Sequence, residues 1–260
     1  MKLRHLPAAL YLIAAAVFIF LPVAMLVQYA FQDGLVPVPP FRGASLRWFD
    51  KVLANQRLID ALWSSVLVGT LSSLMATVLG FLAAHGLARR RPRFAGAVQF
   101  ALMAPVMVSY LIIAMGLLIT FNNLGIDKSL LAVGIGHVVI NLPLTFGIIY
   151  SQLGEHQANV ERAAQDLGAG DLEAMLLITV PMLWPALLAA FFIAFTLSWD
   201  EFVIAFLLSR FEVTLPVIIW SMLRTGLSPE LNAAGTLVFA ISIGLVVIVE
   251  ILLRRGRRDG

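Results

Sequence analysis

An all-α integral membrane protein with six spanning helices is the fold this 260-residue sequence predicts, on three observations. Hydrophobic residues make up 60% of the chain and charged ones 13%, with a mean hydropathy of +0.93; soluble domains carry about 25% charged residues. Six stretches are long and apolar enough to cross a hydrocarbon core about 30 Å thick, at about 1.5 Å per residue. Arginines gather where those stretches end, at 89–93 and 254–258. So few charges cannot cover a hydrated surface, which excludes a soluble enzyme, a disordered chain and a nucleic-acid module. Cysteine is absent, removing disulfide frameworks and thiolate chemistry.

The predicted spans cover residues 8–30, 62–88, 97–121, 130–150, 182–208 and 231–253, within one transmembrane domain over 1–260. The first has no charge and is too long for a signal-peptide core of about 7–15 residues, so it reads as an uncleaved span. In the second, Ser65, Gly69, Ser73 and Thr77 recur every four residues, the spacing of a close-packing face. Fourth-span His137 and Asn141 share one helical face, shortly before Pro143, as a kink or interhelical contact does. The fifth holds Asp200 and Glu201, the only acidic residues well inside a span. A mid-membrane carboxylate costs roughly 2.5–3.5 kcal/mol on insertion scales, so it faces the bundle interior or a water-filled path. Adjacent helical residues point about 100° apart; one of the two lines a path while the other pairs with a neighbour, or both serve helix contacts. Trp199 and Trp220 sit where interfacial anchors sit. In the sixth, Glu250 is spaced to pair with Arg254.

With the N-terminus inside, eleven of the eighteen Lys and Arg residues fall on the inner side, which places both termini in the cytoplasm. That count includes Lys2, Arg4, Arg91, Arg257 and Arg258 inside and Arg42 outside. Two connections exceed simple turns. The outer one, 31–61, carries Pro37, Pro39 and Pro40, then Trp48 and Phe49, and either caps the outer mouth or rests at the interface. The inner one, 151–181, runs against the positive-inside trend, with Glu155, Glu161, Asp166, Asp171 and Glu173 against Arg162. Its residues 159–167 suit a short amphipathic helix with Val160, Ala163, Ala164 and Leu167 on one side. Gly168 and Gly170 end that helix, and Asp171 suits the N-cap of the next, with Leu172, Met175, Leu176 and Thr179 on one face. Pro181 and Pro185 mark the start of the fifth span. Such a hairpin lies on the membrane or docks into a partner's groove.

Glu161-Arg162-Ala163-Ala164, then Asp166-Leu167-Gly168-Ala169, then Ile178-Thr179-Val180-Pro181 resembles the EAA loop of permease subunits in bacterial ABC importers, with Arg162 interrupting the acidic-Ala-Ala triplet. Ser45–Phe49, Ala104–Met107, Leu197–Phe202, Thr214–Val217 and Ser228–Ala233 resemble further family segments, closest to the second permease of spermidine/putrescine importers. The resemblance implies a type I ABC importer permease fold, a coupling loop over 155–181, and coupling to an ATPase through Glu161, Ala163, Ala164, Asp166, Gly168 and Pro181. It further implies a homologous second permease, two ATPase subunits that bind ATP and Mg, and a periplasmic or lipid-tethered binding protein. The setting is the bacterial inner membrane and its lipid. Ser198, Trp199, Asp200, Glu201 and Tyr110 are the candidate substrate path; Tyr110 stands where polyamine permeases often place an acidic residue, and its ring face can contact ammonium groups. Ferric-ion, aminoethylphosphonate, opine and amino-acid importers share the pattern. A self-contained ion-coupled transporter is the rival class. No phosphate-binding loop surrounds Lys2, Lys51 or Lys128, and no zinc-protease motif surrounds the histidines, so the chain reads as a conduit that needs neither metal nor cofactor of its own.

Overall fold

The computed structural model describes residues 6–41, 43–90, 92–226 and 228–256. The charges counted at Lys2, Arg4, Arg42, Arg91, Arg257 and Arg258 lie outside them, and the Glu250–Arg254 pair lies outside the described side chains. The described chain is helical, with one isolated bridge between Gln32 and Ala44. In order come α1 (Leu6–Ala30), α2 (Arg47–Ala54), α3 (Gln56–Arg90), α4 (Ala95–Met103), a 3-10 turn (Ala104–Met107), α5 (Tyr110–Asn123), α6 (Leu130–Gln152) and α7 (Glu155–Asp166). Then follow α8 (Asp171–Ala174), a π turn (Met175–Thr179), α9 (Val180–Trp199), α10 (Val203–Leu208), α11 (Leu215–Thr225) and α12 (Pro229–Gly256).

Among the described residues, four helical stretches are long and apolar enough to span: Leu10–Ala30, Gln56–Arg90, Leu130–Gln152 and Asp171–Trp199. A fifth is broken, with Ala95–Met107 and Tyr110–Asn123 meeting at 107°. The predicted sixth span lies within α12. Two predicted spans are therefore corrected. The third, 97–121, is bent because Pro105 has no N–H to continue the helix; Val108 is extended and Ser109 restarts α5, its hydroxyl accepting from the Ile112 N–H. The fifth, 182–208, begins earlier and stops sooner. Its helix starts at Asp171 and ends at Trp199, and Pro181 is carried inside it because the π turn just ahead widens the coil where the proline ring would strike a carbonyl.

Two compact units divide the chain, one within Met1–Ile59 and Ile218–Val247, the other within Asp60–Val217 and Ile248–Gly260. In the first, the loop after α1 is tied down by polar contacts. Trp48 is buried, its indole N–H donating to the Gln32 carbonyl at 2.8 Å, while the Gln32 amide donates to the carbonyls of Val36 and Val38. Arg47 pairs with Asp33 at 3.2 Å, and Arg47 and Lys51 both lie over the Trp48 ring. Trp48 is thus an internal pin and not an ordinary interfacial aromatic.

The second unit packs around α6, chiefly against α9, with two apolar clusters along it. Val68, Phe121, Val133, Ile140 and Ile204 form one; Phe81, Leu87, Phe146, Ile149 and Leu183 form the other. Close approach sets this packing. A Cβ on Gly80 would lie 2.6 Å from the Thr145 hydroxyl and 2.9 Å from the Phe146 nitrogen, and Thr145 donates across to the Ala76 carbonyl at 2.8 Å. The predicted small-residue face is buried at Ser65, Ser73 and Thr77, and Gly69 faces the Phe195 ring.

Candidate functional site

The loop helix α7 starts four residues earlier than predicted, at Glu155, which suits the positive end of the helix. The Gln157 side chain accepts from the N–H of Gly154 at 3.1 Å. The end is as the glycines predict. Gly168 takes φ +100, its N–H reaches the Gln165 carbonyl, and the Ala169 N–H reaches the Ala164 carbonyl, which is the paired closure of a Schellman motif. Gly170, not Asp171, is the next N-cap, and the Asp171 carboxylate instead accepts from the Gln165 amide at 3.0 Å.

The inward contact of α7 is made by its acid and not by its apolar side. Ala163 and Leu167 are exposed, Leu167 at 91%, and Asp166 with them, while Glu161 is buried. The reason is a cation on the facing helix. Arg89, near the end of α3, donates to both Glu161 oxygens, Nε to Oε2 at 2.5 Å and Nη2 to Oε1 at 2.8 Å. The Thr179 hydroxyl, last in the π turn, donates to Oε1 at 2.5 Å, and His85 Nε2 stands 3.7 Å from Oε2. Burial pushes the Glu161 carboxyl up, but the Arg89 and Thr179 hydrogen bonds and the Arg89 and His85 charges outweigh it, holding it below the ordinary carboxylate range. One side chain thereby ties the loop helix to α3 and to the root of α9. A cavity of about 1040 Å³ lies beside it, lined by Leu82, His85, Arg89, Tyr150, Glu161 and Met175 among others.

At the other end of α9 the helix stops at Trp199, because Glu201 spends its carboxylate on starting α10. Its oxygens accept from the backbone N–H groups of Val203 (2.8 Å), Ile204 (3.1 and 2.9 Å) and Ala205 (3.2 Å). Such donors have no intrahelical acceptor and must be satisfied away from water. His137 Nε2 is 3.4 Å from Glu201 Oε2 and His137 Nδ1 is 2.5 Å from the Ser198 hydroxyl, which is 3.2 Å from that of Ser72. Glu201, Ser198, Ser72 and His137 are all buried; Asp200, between two of them, is exposed. Asn141, one turn along α6 from His137, is fully buried, and its amide meets no protein partner among the described residues.

The sequence-predicted residues thus fall in separate places. Glu161 sits in the loop cluster, with Ala163, Ala164, Asp166 and Gly168 on or at the end of the same helix; Pro181 lies two residues past Thr179 in α9. Ser198, Asp200 and Glu201 gather at the break. Trp199 is 6% exposed and stacks on Phe195, so it is a packed residue, not an interfacial anchor. Tyr110 opens α5, half-exposed, just past the other break. Arg89, His85, Thr179 and Ser72 were missed as site residues. Arg89 had a signal: a basic cluster closing one span and an acidic inner loop are natural partners, although the sequence does not say which of the five acids pairs.

Fold and site together define a helical membrane permease component, several spans tied to a short surface helix. The chain belongs to the family of binding-protein-dependent transport system inner membrane components, whose profile matches residues 76–257. It is 34% identical over 238 residues to the putrescine transport system permease protein PotI of Escherichia coli, covering 88% of this chain and 84% of that one. To the spermidine/putrescine transport system permease protein PotC of Haemophilus influenzae it is 30% identical over 240 residues, covering 92% and 93%. Among solved structures it is similar to a chain of a bacterial ABC transporter involved in import of the acidic polysaccharide alginate. That likeness has 19% identity and a TM-score of 0.70, covering 98% and 96% of the two chains, and it is a likeness of fold.

Proposed function

We propose that this chain is one of two membrane-spanning subunits of an ATP-driven importer that carries polyamines into the cytoplasm. Its termini and the α7 loop face the cytoplasm. A homologous permease lies beside it, two ATPase subunits bind ATP and Mg and dock on the loops, and a binding protein delivers solute from outside. The chain itself needs no cofactor. The observation that carries this reading is Glu161, which joins a surface helix to two spans at once. An ATPase seated against the exposed Ala163, Asp166 and Leu167 side of α7 moves the helix, and the Arg89 and Thr179 contacts pass that movement to α3 and α9. The twenty residues of α9 then reach about 30 Å to the break, where Asp200 is open to a passing cation. The putrescine and spermidine permeases among its relatives favour a polyamine over the other solutes of this importer class.

The test is reconstitution of this chain with its sibling permease, ATPase pair and binding protein in vesicles. Putrescine or spermidine should stimulate ATP hydrolysis and accumulate inside. Asp200→Asn should lower that uptake about ten-fold with the assembly intact, whereas Leu167→Glu should release the ATPase subunits. Stimulation by a ferric ion or an amino acid instead would overturn the solute, and full uptake by Asp200→Asn would overturn the path.

A further inference from the structure

A break inside a spanning helix creates a chain of obligations. The free N–H groups of Val203, Ile204 and Ala205 need an acceptor, and Glu201 supplies it. A carboxylate buried to that degree needs a donor or positive partner in turn, and His137, fully buried, stands 3.4 Å away. In the tautomer with its proton on Nε2, which faces Glu201 as a close polar contact and not a hydrogen bond, His137 Nδ1 accepts from the Ser198 hydroxyl. The Ser198 oxygen lies 3.2 Å from that of Ser72, itself donating to the Gly69 carbonyl. The chain is tethered at 198 to α3 and α6, and at 201 to α6 and α10. Asp200 lies between the tethers and forms no ion pair among the described residues.

We propose that His137, Ser198, Ser72 and Glu201 form a positioning latch that fixes the α9–α10 break and thereby presents Asp200 to the solute. Glu201 itself is withdrawn from solute contact, its oxygens being spent on the backbone. The latch gives two adjacent carboxylates two duties. The proposal rests on the reading that Asp200 lines the path.

The test uses the assembled importer, and because this chain has no native cysteine labelling is read on this subunit alone after the subunits are separated. Asp200→Cys is treated with a membrane-impermeant cationic methanethiosulfonate reagent, alone and with His137→Ala, Ser198→Ala or His137→Gln. Reactivity should fall at least five-fold with His137→Ala and less with Ser198→Ala, and should recover with His137→Gln, whose amide keeps a polar N–H group beside Glu201. Against native Asp200, His137→Ala should raise the putrescine KM about ten-fold with kcat little changed. In an Asp200→Asn background it should add less than two-fold, since it acts through Asp200. Unchanged or increased reactivity, or a full His137→Ala effect without Asp200, overturns the latch. Asp200→Asn with native uptake overturns the path reading instead, and the reactivity series then judges the latch alone. If His137→Ala does not assemble, Ser198→Ala and His137→Gln carry the comparison.

Discussion

Arg89→Gln is the perturbation that reads the loop cluster most directly. The Glu161 side chain is 8% exposed, and two of its three hydrogen bonds come from the Arg89 guanidinium. Removing one partner of a buried pair costs about 3–5 kcal/mol when nothing replaces it. Here the Arg89 side chain is 18% exposed, so water reaches that side, and Thr179 and His85 remain; we expect about 2–3 kcal/mol. At about 1.4 kcal/mol per factor of ten, the fraction of molecules with α7 released from α3 rises roughly 30- to 150-fold. Amide hydrogen exchange over 155–166 measures that release in the purified assembly, and solute moved per ATP hydrolysed measures its consequence. Arg89→Lys should fall between, since an ammonium cannot make the two-pronged contact. In a cycle with Glu161→Gln the coupling energy should be about 1–3 kcal/mol. Two effects that add to within about 0.5 kcal/mol would refute the clamp, as would native coupling in Arg89→Gln.

The same carboxylate sets a pH window. Its folded value lies below the ordinary one of about 4.3, so its stabilising contribution is complete above that and is lost as pH falls through the folded value. Exchange protection of α7 should be flat from about pH 8 to pH 5 and decline only in stronger acid; a loss centred at 6–7 contradicts this, because protonating His85 adds a cation beside Glu161. For packing, Gly80→Ala should destabilise by about 1–3 kcal/mol, since its methyl meets a hydroxyl and a backbone nitrogen closer than 3 Å. Gly86→Ala, which meets nothing within 4 Å, is the control; equal thermal melts for the two would discard the close approach.

What the sequence made legible was what periodicity and solvent decide. The helical, apolar character of the chain, the stop at Gly168–Gly170 and the close-packing face of α3 all follow from residue type and spacing, and four or five of the predicted spans are seen as apolar helices among the described residues. Side-chain direction within α7 was not legible. Apolar periodicity grouped Val160, Ala163, Ala164 and Leu167 on one side without stating what that side faces, and Arg89, 72 residues away, is what turns the acidic Glu161 inward. The breaks were hidden for a related reason. Nothing local in Trp199-Asp200-Glu201 states that the second carboxylate turns back onto the backbone, beside His137 over 60 residues upstream. Pro181 misled in the opposite direction, because a proline that normally opens a helix is here absorbed by a wider turn.

That wider turn carries a consequence for how force travels. A single π turn holds one residue more than an α turn, so every residue of α9 is rotated about 100° from where an unbroken coil from Asp171 would set it. Ser198, which meets His137 at 2.5 Å, is among the residues so rotated. Glu161 grips the helix at Thr179, the last residue of the loosely wound stretch. In the proposed coupling, a tug on α7 would be applied where the coil yields most readily to rewinding, and α9 would deliver torque as well as displacement. Losing or gaining one residue within Met175–Thr179 would leave both ends of the helix in place and still turn its far end away from α6.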